Sequence, residues 1–170
     1  GSTQTARIGN VFRINSADTL TSITVFLTNP APTNDFEVFV GDPNGTADLF
    51  NSGSITGLSM AGFYTFEVGL VLPPGDYVCG VHQTQTGVNV GLGLDTAFKA
   101  PGASLFGNYG SWTDLITASG IPPALSGNLM VRANFGEAVA TNLTPFTLMS
   151  PPDGTVLDVT GLGTQTVNIT

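Results

Sequence analysis

Apolar side chains alternate with polar ones along this sequence in short runs, and nowhere does the i, i+3, i+4 spacing of an amphipathic helix persist. Arg7 to Ile14 is the first run. In Leu20 to Thr28, Ile23, Val25 and Leu27 fall on one face. Phe36, Val38 and Val40 oppose Glu37 and Phe39. Tyr64, Phe66 and Val68 oppose Phe63, Thr65 and Glu67. Asp76 to Thr84, Val88 to Leu94 and Asn128 to Phe135 follow, the last with Leu129, Val131, Ala133 and Phe135 in phase. The 22 Gly and 11 Pro are scattered between and within these runs, which further disfavours helices. Period-two segments at this spacing predict an all-β chain, an antiparallel sandwich or barrel.

The connections have turn chemistry. Asp42-Pro43-Asn44-Gly45 supplies a preset φ at proline and a permissive glycine, and Pro73-Pro74-Gly75-Asp76 forces a turn before the strongest strand. Residues 114 to 126, with Ile121-Pro122-Pro123, read as a long loop. After Phe135 the composition changes. Residues 1–136 read as the sandwich and residues 137–143 as a linker. Residues 144–170 read as the initial strands of a following domain, around a Pro151-Pro152-Asp153-Gly154 turn. So short a tail cannot close a sandwich of its own. Phe146, Leu148, Val156, Leu157, Val167 and Ile169 are its candidate apolar face. Two placements stay open: strands of the first sandwich, or strands paired with a sheet edge of this or a neighbouring copy, which would give a tail-mediated homo-oligomer. Gly1-Ser2 reads as an expression remnant, and the chain as part of something longer.

Charge narrows the function. The chain has 12 acidic and 4 basic residues, a net charge of −8. Four cations cannot neutralise many phosphates, which argues against nucleic acid, and the same shortage argues against anionic membrane surfaces. No apolar stretch approaches the roughly 18–20 residues that span a bilayer, so no membrane insertion is expected. One cysteine, Cys79, allows no intrachain disulfide. A surface covered by Thr, Ser, Asn, Gln and Gly points to a secreted or cell-surface protein.

Candidate chemistry is sparse. Cys79 and the sole histidine, His82, are three apart in a strand, so they point to opposite sheet faces and make no dyad. No carboxylate spacing marks a glycosidase pair, and no G-x-S-x-G, H-E-x-x-H or phosphate-cradling loop occurs. No catalytic residue is assigned, and the chain is read as non-enzymatic. Asp42, Asn44 and Asp48 place oxygens in one tight loop that could hold a structural calcium ion, and Asp95 is a further candidate ligand. The same residues would also serve the turn alone. Trp112, the only tryptophan, with Tyr109 and Phe106 nearby, could stack on a sugar ring or could anchor a loop. Asn44, Asn142 and Asn168 stand in N-x-Thr sequons.

Four segments in order carry a resemblance: Gly75-Asp76-Tyr77-Val78-Cys79-Gly80-Val81-His82-Gln83-Thr84, Val88-Asn89-Val90-Gly91-Leu92-Gly93-Leu94-Asp95-Thr96, Gly110-Ser111-Trp112, and Gly127-Asn128-Leu129-Met130-Val131-Arg132-Ala133. This order resembles the β-sandwich modules, relatives of the cleaved-adhesin jelly rolls, in large secreted proteins of Bacteroidetes-type bacteria that carry type IX secretion tails. Ala133 stands where those modules have proline, and Cys79 and His82 depart from the first motif. The resemblance covers roughly residues 7 to 136. Phe146 to Gly154 looks like the opening of the Ig-like domain that often follows. The resemblance implies a jelly-roll-like sandwich serving as a non-catalytic accessory or adhesion module. Its partners would be a surface glycan, a protein ligand or neighbouring domains of the parent protein. The alternative is a carbohydrate-binding module using Trp112 and Tyr109.

Overall fold

The computed structural model describes residues 5–30, 34–87, 90–97, 99–122 and 126–136. Among them every regular element is a strand: β1 Ala6–Ile14, β2 Asp18–Leu27, β3 Phe36–Gly41, β4 Asp48–Asn51, β5 Gly62–Leu72, β6 Gly75–Gln83, β7 Leu94–Asp95, β8 Ser104–Gly107, β9 Thr113–Asp114, β10 Asn128–Leu129 and β11 Val131–Phe135. They form a six-stranded sheet in the order β4-β3-β6-β1-β8-β9, a three-stranded sheet β11-β2-β5 and a ribbon β10-β7. All pairings are antiparallel, and the fold is a β-sandwich.

The alternation is what builds the core. Phe36, Val38 and Val40 of β3 and Tyr77, Cys79 and Val81 of β6 face Leu20, Ile23, Val25 and Leu27 of β2 and Val131 of β11. Leu20, Ile23, Val25 and Leu27 are fully buried, each side chain stabilising the fold by about 1.5–3 kcal/mol. One polar device joins the sheets. Asn10, on the inner face of β1, donates to the carbonyls of Leu129 (2.8 Å) and Val131 (3.0 Å). Its Oδ1 accepts from the Ser104 hydroxyl at 2.7 Å, whose oxygen accepts from the Leu129 amide at 3.0 Å.

The corner after β5 matches its sequence. Pro73 and Pro74 alone separate β5 from β6, and these strands belong to different sheets. Prolines cannot donate to a ladder, so neither sheet can continue through them. The Tyr77 hydroxyl fastens the corner by donating to the Pro73 carbonyl at 2.8 Å.

Several boundaries differ from the pattern. β5 runs on to Leu72, past Gly69 at φ +66°, where a bulge shifts the register with β2 while Tyr64, Phe66, Val68, Leu70 and Leu72 keep facing the core. Of the strand expected over Val88 to Leu94, Val88 and Asn89 lie outside the described residues and 90–93 are irregular apart from one bridge. Leu92 makes a single bridge to Leu27, and only Leu94–Asp95 pairs as β7. The run Asn128 to Phe135 is broken at Met130, where the chain leaves β7 and joins β2. Strands β4, β8, β9 and β10 are too short to show a period. By its contacts the chain divides into Gly1–Ala138 and Val139–Thr170. The linker and tail strands expected over 137–170 lie outside the described residues.

Candidate functional site

Three of the residues singled out in the sequence converge on the outer face of the six-stranded sheet. Arg7 of β1 grips Asp48 of β4 with Nε to Oδ1 and Nη2 to Oδ2, both 2.9 Å. The Tyr109 hydroxyl donates to Asp48 at 2.7 Å, and Asn51 donates to it at 3.2 Å. The Arg7 guanidinium lies 5.0 Å from the Tyr109 ring centroid and 5.7 Å from that of Phe39. Trp112 stacks on Phe39 with centroids 6.5 Å apart, meets Tyr109 edge-on, and donates its indole N–H to the Pro43 carbonyl at 2.8 Å. Phe39 is thereby fully buried although it points away from the core between the sheets. Gly41 makes room for this: a Cβ there would lie 1.8 Å from the Tyr109 hydroxyl oxygen.

The electrostatics of this cluster are self-contained. Burial alone would raise the Asp48 carboxyl, but hydrogen bonds from Arg7, Tyr109 and Asn51 and the Arg7 charge hold it below the usual range. Burial and the Asp48 carboxylate push the Tyr109 phenol up. Beside them Glu37 accepts from Asn51 at 2.7 Å and contacts His82 Nδ1 at 2.8 Å, and the Asn51 bond, followed by His82, keeps its carboxyl low. Each polar group has its partner within the protein. Trp112 and Tyr109 are half-buried and anchor the 108–112 loop rather than presenting bare rings.

The calcium candidates separate in the same way. Asp42 accepts from the Asn44 amide through Oδ1 (2.8 Å) and from the Gly45 amide through its carbonyl (2.9 Å), so it shapes the turn. Asp48 is bound to Arg7. Asn44 is exposed, and Asp95 caps the Ala97 amide at 2.9 Å on the far ribbon. Among the described residues no group of three or more His, Cys, Asp and Glu side chains could hold a metal ion. Cys79 faces the core, its thiol pushed up to about 12 by burial, while His82 is on the outer face with Glu37.

A second surface has a different character. On the outer face of the three-stranded sheet the register puts Arg132, Thr24 and Thr65 in one row and Asn134, Ser22 and Glu67 in the next. Phe26 and Phe63 follow on the other side, and the Phe26 amide bonds to the Met130 carbonyl at 3.0 Å. In the sequence pattern Phe63 stands with Thr65 and Glu67 on the polar face of its strand, and nothing local marks it as a site. Phe63 is 51% exposed. Its ring meets Phe26 edge-on at 4.9 Å, and the Arg132 guanidinium lies 5.4 Å from its centroid, having reached across the short Thr24 side chain. Among the described residues that guanidinium has neither an ion pair nor a hydrogen bond, in contrast to Arg7 and Arg13. Beside Arg132 opens a cleft of ≈ 410 Å³ lined by Leu94, Asp95 and residues 128–132. Gly93 lies beneath Met130 and Phe26, whose Sδ and Cδ1 come within 2.8 Å of where its Cβ would be. An aromatic ledge, a cation with free donors, a carboxylate and a cleft are what a binding surface needs to stack on and orient a ligand. Comparison with protein-family models, with curated proteins and with solved structures finds no match to this chain.

Proposed function

We propose that this chain is a non-catalytic binding module of a larger secreted or cell-surface protein, with an accessory or adhesion role. The observation that carries the reading is the contrast between the two outer faces. On the six-stranded sheet the aromatic and charged groups satisfy one another. On the three-stranded sheet Phe63 and Arg132 are exposed, and the Arg132 donors are unused. Exposed aromatics and arginine are the residue types that carry interface energy. The order of motifs that resembles secreted adhesin-type modules supports the same role. The glycan-binding alternative moves with this geometry from Trp112 and Tyr109 to the Phe63 face. The test is surface binding by the full chain: immobilised glycans and proteins are presented to the protein and to its Phe63→Ala variant. Binding that the variant loses and the Trp112→Phe variant keeps is expected. Binding that follows Trp112 and ignores Phe63 overturns the assignment.

A further inference from the structure

We infer that the Phe63–Arg132 face and the adjoining cleft bind a neutral polysaccharide segment. The inference rests on the binding-module reading and names the ligand class for it. A sugar ring offers two kinds of contact: a flat C–H face and a rim of hydroxyls that each donate and accept. The first needs an exposed ring held still. Phe63 is 51% exposed; its T-shaped contact with Phe26 and the Arg132 guanidinium over its ring, 5.4 Å from the centroid, restrict its rotation and leave the ring surface away from the guanidinium for the sugar. The second needs donors and acceptors side by side. Arg132 supplies unused N–H donors. Asp95, which lines the same cleft, holds the Ala97 amide through Oδ1, and its Oδ2 accepts no bond among the described residues. The cleft of ≈ 410 Å³ falls within the roughly 300–1,000 Å³ of small-ligand sites.

Charge selects among sugars. The one arginine on this face shares it with Glu67 and has Asp95 on the neighbouring cleft wall, so the local balance is not positive. The chain as a whole carries −8. A polyuronate meets repulsion here that a neutral chain does not. β5 and β11 are the two outer strands of their sheet, so strand addition by an extended peptide beside Phe63 is the competing mode that the experiment has to separate from sugar binding.

The experiment is calorimetric titration of the full chain with neutral hexasaccharides of the gluco, xylo, manno and galacto series and with an oligogalacturonate. A combinatorial peptide library is panned in parallel on the wild-type and Phe63→Ala proteins. Binding to at least one neutral series is expected, unchanged on raising the ionic strength. It should weaken about tenfold in Phe63→Ala through the lost stack. It should weaken by about tenfold or more in Asp95→Asn through the lost charged acceptor. Asn at 95 keeps an oxygen for the Ala97 amide, and Phe63 is half-exposed, so both variants should retain the wild-type melting profile. Neutral-sugar binding that neither variant alters, preference for the oligogalacturonate, or no sugar binding overturns the inference. If sugars fail while the library yields peptides that bind wild type and not Phe63→Ala, the ligand class is wrong and the binding surface stands. If both arms fail, the module reading falls with it.

Discussion

Replacing Asp48 by alanine is expected to destabilise the sandwich by about 3 kcal/mol at neutral pH. The magnitude follows from burial. An exposed ion pair contributes roughly 0–1 kcal/mol, whereas removing one partner of a buried pair costs roughly 3–5 kcal/mol because the other charge is stranded. The Arg7 and Asp48 side chains are 16% and 11% exposed, so this pair lies toward the buried limit. The substitution also takes the acceptor from the Tyr109 hydroxyl. Part of the cost is recovered, since Arg7 keeps Asn108 Oδ1 at 3.3 Å and the two ring faces. A loss of that size lowers Tm by about 10 °C for a unit of this length. Urea and thermal unfolding, followed by the fluorescence of Trp112 beside the cluster, report it directly.

Two controls make the argument refutable. Arg7→Met removes the stranded charge, so the double variant should be more stable than the sum of single effects predicts, by about 2 kcal/mol. The second control is pH. The folded-state Asp48 carboxyl titrates below the unfolded value of about 3.9. Its contribution is therefore complete above that pH and is lost as pH falls through the folded value. The gap between wild type and Asp48→Ala should be full at neutral pH and close in acid. A neutral-pH loss below about 1 kcal/mol, additive single variants, or a gap that survives in strong acid would refute the reasoning.

Gly41→Ala should displace the Tyr109 hydroxyl, 1.8 Å from the new methyl group, and cost about 1–3 kcal/mol in urea unfolding. Most of that cost should disappear when Tyr109 is already alanine. Ser104→Ala leaves the buried Leu129 amide without its acceptor and Asn10 Oδ1 without its donor, for an expected loss of about 1–3 kcal/mol by the same assay. Cys79 should not react with a thiol reagent in the folded protein, its thiol being buried and pushed up to about 12. Cys79→Ser should fold and cost about 1–3 kcal/mol, because a hydroxyl replaces the thiol in an apolar cluster. Iodide should quench Trp112 only partly, and Tyr109→Ala should increase that quenching by opening one side of the indole.

Local periodicity was readable wherever the two faces of a strand meet different surroundings. It located β2, β3, β6 and the first half of β5, and it put Cys79 and His82 on opposite faces. It failed where the strand is too short to hold a period, as in β8 and β9, and where the chain changes partner, as at Met130. The end of β5 was hidden because Gly69 contributes no side chain to the pattern and the outward-facing Val71 is apolar, although the phase itself continues to Leu72. The grouping of Asp48, Tyr109 and Trp112 was only partly legible. Their residue types marked them singly, as ion ligand and as sugar platform, but Arg7 was not connected to them, and it is Arg7 that turns Asp48 inward. The hardest distinction is the one on which function turns. Phe39 and Phe63 occupy equivalent places in the sequence pattern, each an aromatic on the outer face of an alternating strand. Phe39 is fully buried because Trp112, from a loop remote in the chain, stacks over it. Phe63 keeps half its surface because the residue that reaches it is an arginine arriving from two strands away over a threonine. A local pattern contains neither neighbour. Only the sheet register, pairing Thr24 with both Thr65 and Arg132, separates a packing aromatic from one left free to meet a ligand.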